Sequence, residues 1–211
     1  MWRARVGFGA TLILNKSLAI VSGGYTDYFQ VNAHAEAFDI ASNRWIEVED
    51  CMKRYRTAHS LCELRTSSGH FVYAFGGLDE KDRPLDSVER LTLGSGAVES
   101  MIKTARWELL NEVRLPLRLC NLGCLPLSQT EILLFGGVSS AEKQQWGQIL
   151  QVSDVSHSFK SERFDLALPD VFTYTGDGNE SAQKVKILGK QALHCFDLRR
   201  REFSVEFAFN S

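Results

Sequence analysis

Side chains that commonly carry out chemistry are thinly spread along this sequence. The histidines stand on different predicted strands with no spacing typical of a metal site, at positions 34, 59, 70, 157 and 194. Cys120 and Cys124 share a predicted strand, where a rise of ~3.3 Å per residue separates them by about 13 Å, too far for one tetrahedral zinc ion. The stretch TGDGNES at 175–181 suits a hairpin turn better than a calcium loop. We therefore predict no catalytic residue, no metal site and no cofactor, and we expect a protein that is not an enzyme.

Three arginines stand out because they occupy similar places in the sequence. Arg5 lies in RARVGFG, Arg56 in RYRTAHS and Arg118 in LRLCNLG, each at the start of a predicted strand. A guanidinium group pairs with a carboxylate through two parallel hydrogen bonds. Two interpretations stay open: the arginines hold an acidic segment of a protein partner, or they bind backbone carbonyls between repeat units. A loop after the first double glycine would add exposed contacts to such a partner, through Tyr25, Asp27 and Tyr28.

Composition and charge argue against several classes of protein. The chain has 211 residues and a formal net charge of −2, which argues against a general binder of nucleic acid or anionic membranes. Its five cysteines form no compact framework, which favours free thiols and an intracellular location, cytoplasmic or cytoskeleton-associated. No apolar stretch approaches the roughly 20 residues of a membrane span. The opening MWRARVGFGATLIL loosely imitates a signal peptide, but glycines interrupt its apolar run, so we expect no removable signal.

Internal repetition organises the whole chain. Strand-like stretches run into a double glycine in LAIVSGG, FVYAFGG and EILLFGG, and an eroded copy, KVKILGK, keeps one glycine. Glu36 and Glu89 each lie twelve residues beyond the second glycine of their copy. In three copies a spacing of seven residues then leads to an aromatic residue, from Phe38 to Trp45, from Val152 to Phe159 and from Phe196 to Phe203. The glycines of successive copies are 53, 60 and 53 residues apart, and such a period indicates a solenoid, an array or a propeller.

Each repeat predicts four short antiparallel strands, because apolar residues alternate there and β-branched and aromatic types are enriched. In the second copy the strands span roughly 56–64, 70–76, 86–93 and 106–113. First strands are predicted at 3–14, 56–64, 118–127 and 171–175, and second strands at 18–24, 70–76 and 131–137. The insertion GSGAVESMIKTA predicts an external loop at 94–105. The repeat units are then approximately 1–52, 53–114, 115–168 and 169–211 of a single domain, 1–211.

A double glycine followed by an aromatic residue and, seven positions later, a tryptophan resembles the kelch repeat, and the resemblance covers essentially the whole chain. It implies an all-β, kelch-type β-propeller of about four four-stranded antiparallel blades around a channel. In that family the double glycine ends the second strand of a blade, where packed backbone leaves no room for side chains. The resemblance also implies core packing between blades for Phe38, Trp45, Trp107, Phe159, Phe196 and Phe203. Kelch propellers usually have six or seven blades, so we expect an incomplete ring or one that a partner completes.

The kelch resemblance implies a noncatalytic protein-interaction module, or a scaffold subunit of a larger assembly. Its arginines would line one mouth of the channel on the innermost strands, and its partners would be proteins, including another chain that completes the ring. The alternative is a kelch-type carbohydrate-active enzyme of the oxidase or epimerase class. Such oxidases need several His and Tyr ligands that converge at the channel, and no such set can be assembled from this sequence. The 211 residues include no BTB or F-box domain, so they do not predict a ubiquitin-ligase role.

Overall fold

The computed structural model describes residues 1–13, 17–27, 29–139, 142–143, 146–152, 157–165, 171–175, 184–189, 192–197 and 202–208, and it describes side chains for 1–13, 17–27, 29–139 and 150–152. In the first half of the chain the strands are β1 (Gly9–Ile13), β2 (Leu18–Ser22), β3 (Ala35–Asp39), β4 (Arg44–Val48), β5 (Ser60–Thr66), β6 (Gly69–Phe75), β7 (Leu85–Thr92) and β8 (Arg106–Pro126). The later strands are β9 (Glu131–Ser139), β10 (Glu142–Lys143), β11 (Trp146–Val152), β12 (His157–Asp165), β13 (Val171–Thr175), β14 (Lys184–Gly189), β15 (Ala192–Asp197) and β16 (Glu202–Ala208).

The strands pair in chain order, as antiparallel sheets. We call β1 to β4 the first unit, since they form one four-stranded sheet in the order β1-β2-β3-β4. The long strand β8 belongs to two units: its early residues pair with β7 and its late residues with β9. The second unit is therefore β5, β6, β7 and the start of β8, and the third is the end of β8 with β9, β11 and β12. A further four-stranded sheet contains β13 to β16.

The all-β, antiparallel class predicted from the sequence is confirmed. The second strands predicted at 18–24, 70–76 and 131–137 correspond to β2, β6 and β9, and each pairs antiparallel with both of its neighbours. The first strands begin later than predicted, at Gly9 and Ser60. The residues before them instead make single bridges, Val6 with Tyr25 and Thr57 with Leu78.

The insertion at 94–105 contains a short helix, where the sequence predicts an external loop. This helix, α1, spans Val98–Lys103, with Glu99 in its first turn and Lys103 in its last. The Lys103 Nζ lies 2.7 Å from the Glu99 Oε1, so the two side chains form an ion pair. Met101 and Ile102 are buried and pack among core residues of the first and second units. The apolar spacing i, i+3, i+4 from Val98 is the helical signal in this stretch. The prediction of an external loop was therefore wrong, since the insertion forms a helix that packs into the core between the first and second units.

The double glycines of the first and second units are explained by backbone packing, as predicted. Gly23 and Gly24 have φ of +62° and +89°, a region that residues with a Cβ rarely adopt. A Cβ on Gly24 would lie 2.8 Å from the carbonyl oxygen of Val6, on the approach to the first strand of its own unit. A Cβ on Gly23 would collide with the carbonyl oxygen of Arg56, in the next unit. The double glycine of the second unit meets the same two kinds of backbone obstacle.

Two apolar cores lie between successive units rather than inside any one sheet. The first joins the first and second units, with Ile13, Leu18, Ile20 and Val48 on one side and Leu61, Val72, Leu91 and Trp107 on the other. The second joins the second and third units, with Leu64, Tyr73, Phe75 and Val88 facing Leu122, Ile132, Leu134 and Leu150. The sheet of the second unit is thus covered on both faces, which stabilises its short strands.

Candidate functional site

Hydrogen bonds between units fix which residues correspond to one another. The Gly24 N–H donates to the Arg56 carbonyl at 2.7 Å, and the Gly77 N–H donates to the Leu119 carbonyl at 2.8 Å. Since Gly24 and Gly77 are equivalent second glycines, Arg56 and Leu119 are equivalent too, and Arg5 is their counterpart in the first unit.

A second series of hydrogen bonds gives the same register. The Ala58 N–H donates to the Gly7 carbonyl at 2.7 Å, and the Asn121 N–H donates to the Ala58 carbonyl at 2.8 Å. All three residues have positive φ, +67° for Gly7 and +53° for both Ala58 and Asn121. Each lies two positions after Arg5, Arg56 or Leu119, so the two series agree.

Arg56 is fully buried and satisfied within its own unit. Its Nε and Nη2 donate to one oxygen of Glu89 at 3.0 and 2.9 Å, and its Nη1 donates to the carbonyls of Gly76 and Ser87 at 2.7 and 3.1 Å. The backbone N–H groups of Lys53 and Arg54 donate to the same carboxylate. Desolvation lowers the pKa of Arg56, and the neighbouring Glu89 opposes that shift. The guanidinium therefore ties the double-glycine corner to the third strand.

Arg5 repeats this arrangement in the first unit. Its Nη2 donates to the Oε1 of Glu36 at 2.5 Å, and its Nη1 donates to the carbonyls of Gly23 and His34 at 3.0 and 2.9 Å. The Trp2 N–H donates to the other oxygen of Glu36, as Lys53 does to Glu89. Both guanidinium groups are thus buried and bind carbonyls inside their own unit, whereas the structural interpretation from the sequence placed those carbonyls between units.

Arg118 does not take the third equivalent place. Its side chain is 70% exposed, and its Nε lies 3.8 Å from Asp86. Leu119, which is fully buried, occupies the position of Arg5 and Arg56. The backbone register likewise pairs Gln148 with Leu134, where the earlier units pair a glutamate. The third unit therefore lacks both the arginine and the glutamate at these positions.

The loop residues predicted beside the arginines are partly described. Tyr25 is half-buried, and its hydroxyl donates to Asp82 of the second unit at 2.5 Å. That hydrogen bond is the main reason why the pKa of Tyr25 lies above its ordinary value. Asp27 is exposed, and Phe29 at the tip of the same loop is 86% exposed with φ of +55°. Tyr28 lies outside the described residues.

A buried histidine links the first and second units. The His59 Nε2 lies 2.9 Å from the Ser22 hydroxyl, and both residues are buried. Burial lowers the pKa of His59 to about 3, with Arg56 as a smaller cause. Its Nδ1 has no hydrogen-bond partner among the described residues. Both side chains are buried away from any substrate, and in the described structure no carboxylate accepts a hydrogen bond from the other ring nitrogen of His59. The pair is therefore not arranged as a nucleophile and its base.

The largest difference between units lies on the side of the first sheet that is turned away from the second unit. We call this surface the end face. Its members are identified by equivalence to the second-unit residues that pack on the first unit, and by strand alternation: Met1, Phe8, Ala10, Leu12, Ala19, Val21, Phe38, Ile40 and Trp45. Ile40 is 48% exposed where its counterpart Leu93 is 7% exposed, and Met1 is 41% exposed where Met52 is 4% exposed.

The end face also presents unused backbone groups. In the second and third units, the residues equivalent to Arg5 accept a hydrogen bond through their carbonyl, and those equivalent to Gly7 donate one through their N–H, each to the unit before. In the part of the chain that the structure describes, the Arg5 carbonyl and the Gly7 N–H have no such partner. The surface therefore combines apolar side chains with a donor and an acceptor at fixed places.

The predicted aromatic core residues fall into three groups. Trp107 is buried between the first and second units, as predicted. Phe38 and Trp45 are half-buried on the end face and pack on one another, with ring centroids 5.1 Å apart, so the prediction that they lie between two units is not met by the described residues. The side chains of Phe159, Phe196 and Phe203 lie outside the described residues.

The described residues include no cluster of three or more His, Cys, Asp or Glu side chains that would hold a metal ion. No helix within the described ranges is long and apolar enough to cross a membrane. A comparison of the sequence with protein-family models finds no match, and a comparison with curated proteins finds no relative.

Proposed function

We propose that this chain is a noncatalytic protein-interaction module, a scaffold subunit of a larger assembly, that docks a protein partner through the end face. The observation that carries the proposal is the exposure of Ile40, Met1 and Phe8, whose equivalents in the second unit are buried against a neighbouring sheet. Contiguous apolar surface of this kind, with a defined donor and acceptor beside it, marks a docking surface rather than ordinary solvent-facing sheet.

The partner that fits this surface is another sheet of the same type. The two interfaces within the chain use the same pair of backbone hydrogen bonds and the same apolar positions. A partner sheet would offer an N–H to the Arg5 carbonyl from a double-glycine corner, as Gly24 does to Arg56, and a carbonyl to the Gly7 N–H. The proposed architecture is thus a kelch-type propeller, incomplete by itself, in which the partner supplies further blades.

The free thiols support an intracellular site of action, cytoplasmic or cytoskeleton-associated. Cys51, Cys62, Cys120 and Cys124 are unpaired among the described cysteines. Persistent free thiols are typical of reducing compartments.

Native mass spectrometry of the protein purified from its own cells tests the docking proposal. We expect a complex heavier than the chain, which Ile40→Lys disrupts because it places a charge on the end face. The matched control is Leu117→Lys, since Leu117 is 38% exposed but lies outside the end face. Both variants are first checked for unchanged melting. A complex that survives Ile40→Lys and Leu117→Lys equally would contradict docking through the end face.

A further inference from the structure

Two cysteines from different units meet in the second apolar core. Cys62 lies on β5 of the second unit and is buried, at 2% exposed. Cys124 lies on the third-unit end of β8, is partly exposed and packs against the cluster that contains Cys62. Strand alternation accounts for the meeting, because Leu61 faces the first unit, so that Cys62 faces the third.

The register places Cys124 on the facing surface. Cys124 pairs with Leu134, two residues before its double glycine, as Leu61 pairs with Ala74. It therefore occupies the position of Leu61 and points toward the preceding unit, which is the second. The Asn121 N–H donates to the Ala58 carbonyl, and the Ser60 hydroxyl donates to the Leu122 carbonyl, so the two first strands run side by side and Cys62 faces Cys124. Both thiols are free.

We propose that Cys62 and Cys124 form a redox modification site, in which a disulfide joins the second and third units. The oxidant is a low-molecular-weight disulfide such as oxidised glutathione. The Cys124 thiol, which is the more exposed of the two, loses its proton and attacks one sulfur of the oxidant. The sulfur–sulfur bond of the oxidant breaks, one glutathione thiolate leaves and takes up the proton, and Cys124 carries a mixed disulfide.

The second step closes the cross-link. The Cys62 thiol loses its proton and attacks the Cys124 sulfur, which releases the second glutathione. In total two protein thiols lose two electrons, and one oxidised glutathione becomes two reduced molecules. Burial raises the pKa of Cys62 well above its usual value, so this step depends on the placement of Cys62 opposite Cys124 rather than on a large fraction of thiolate.

The consequence is a covalent bond between two first strands that are otherwise joined by packing and hydrogen bonds. The closed loop runs from residue 62 to residue 124, and a cross-link across a loop of that length restricts the unfolded chain strongly. We expect the oxidised protein to melt about 5 °C or more above the reduced protein. The two units would then separate less readily under oxidising conditions.

The test treats the whole chain with oxidised glutathione, then digests it without reductant and maps its disulfides by mass spectrometry. We expect a Cys62–Cys124 linked peptide and the loss of two reactive thiols, which Cys51→Ser and Cys120→Ser leave unchanged. With Cys62→Ser, one glutathione should stay bound at Cys124, because no second thiol displaces it. With Cys124→Ser, the cross-link should vanish and Cys62 should stay reduced.

Two results would overturn the proposal. One is wild-type protein in which glutathione persists on Cys124 without any Cys62–Cys124 peptide. The other is a cross-link of Cys124 to Cys51 or Cys120 in place of Cys62. Each readout is a mass on a peptide, so it separates the thiol chemistry from any change in folding.

Discussion

The first and second units carry the same kind of apolar face, yet only one of these faces is covered. In the second unit Leu93 and Met52 pack into a core shared with the first unit, while Ile40 and Met1 at the equivalent places stand in water. The residue types are nearly the same, so the difference does not come from the sheet itself. The face of the second unit is covered by a neighbouring sheet in the described structure, and this difference supports the proposal that the end face receives a partner sheet.

The arginine sites give a second comparison, between units that keep a buried ion pair and one that does not. Arg56 with Glu89, and Arg5 with Glu36, hold the double-glycine corner in two units. The third unit has Leu119 and Gln148 at these positions and still forms its strands. The corner therefore does not require the charged pair, provided that both members are replaced together.

The largest effect is expected from breaking one of these pairs. Arg56→Ala should lower the free energy of unfolding by about 3–5 kcal/mol, because Glu89 would stay buried without its counter-charge. Denaturant unfolding measures this loss. Arg118→Ala is the control, with an expected cost of about 0–1 kcal/mol, since its ion pair with Asp86 is exposed. Equal losses in the two variants would refute the buried-pair account.

The residues of the third unit suggest a double variant that tests whether Arg56 and Glu89 can be replaced together. Arg56→Leu combined with Glu89→Gln copies the residues at the equivalent places of the third unit, and it should recover much of the stability that Arg56→Ala loses. The double variant and both single variants are compared by denaturant unfolding. If the double variant were as unstable as the sum of the single ones, the two residues would be acting independently.

The tryptophans test the contrast between covered and open faces directly. Trp107→Ala should cost about 3–5 kcal/mol, the range for truncating a buried large aromatic side chain. Trp45→Ala should cost about 1–2 kcal/mol, because a half-exposed side chain buries less apolar area. Thermal melts of the isolated chain measure both. A Trp45 loss as large as that of Trp107 would mean that the end face is already covered.

The interface between the first and second units should also weaken in acid. Burial lowers the pKa of His59 to about 3, against about 6.5 for an exposed histidine, so the folded protein holds this side chain neutral. Its contribution to the free energy of unfolding is therefore fully present above pH 6.5 and is lost as the pH falls toward 3. Between pH 7 and pH 5 this loss is about 2 kcal/mol. His59→Leu, which copies Leu122 at the equivalent place, should remove that part of the pH dependence. An unchanged acid profile would show that other groups are responsible.

The smallest effect is expected at the loops that join the first two units at their edge. Tyr25→Phe removes the hydrogen bond to Asp82 and should cost less than about 1 kcal/mol, because this hydrogen bond is exposed to solvent although the ring of Tyr25 is half-buried. Denaturant unfolding at neutral pH measures this cost. A loss above about 2 kcal/mol would show that this contact contributes more to the interface than its exposure indicates.

Much of the strand pattern was predictable from the sequence, because the double glycines mark the end of each second strand. An external loop was predicted at 94–105, where the structure has helix α1, because the apolar spacing from Val98 to Ile102 covers little more than one helical turn. Ile102 is buried because it packs against the first unit. The neighbouring residues in the sequence do not predict this contact, since it depends on how the two units pack together.

The sequence predicted that Arg5, Arg56 and Arg118 occupy equivalent places. This is correct for Arg5 and Arg56, but the third equivalent residue is Leu119, one position after Arg118. Counting back from Gly136 by the spacing between Arg5 and Gly23 leads to Arg118. The third unit, however, has one residue fewer than the first between its equivalents of Gly9 and Gly23, which are Gly123 and Gly136. The true equivalent is Leu119, and a shift of one residue in a strand turns the side chain to the opposite face.

Photo-crosslinking in the native cell tests whether the end face binds a protein. A benzophenone amino acid is placed at position 40, on the end face, and in a control protein at position 117, which is similarly exposed elsewhere. We predict a discrete cross-linked protein from position 40 that is absent or much weaker from position 117. Equal labelling from both positions, or none from position 40 in a protein with normal melting, would contradict the claim.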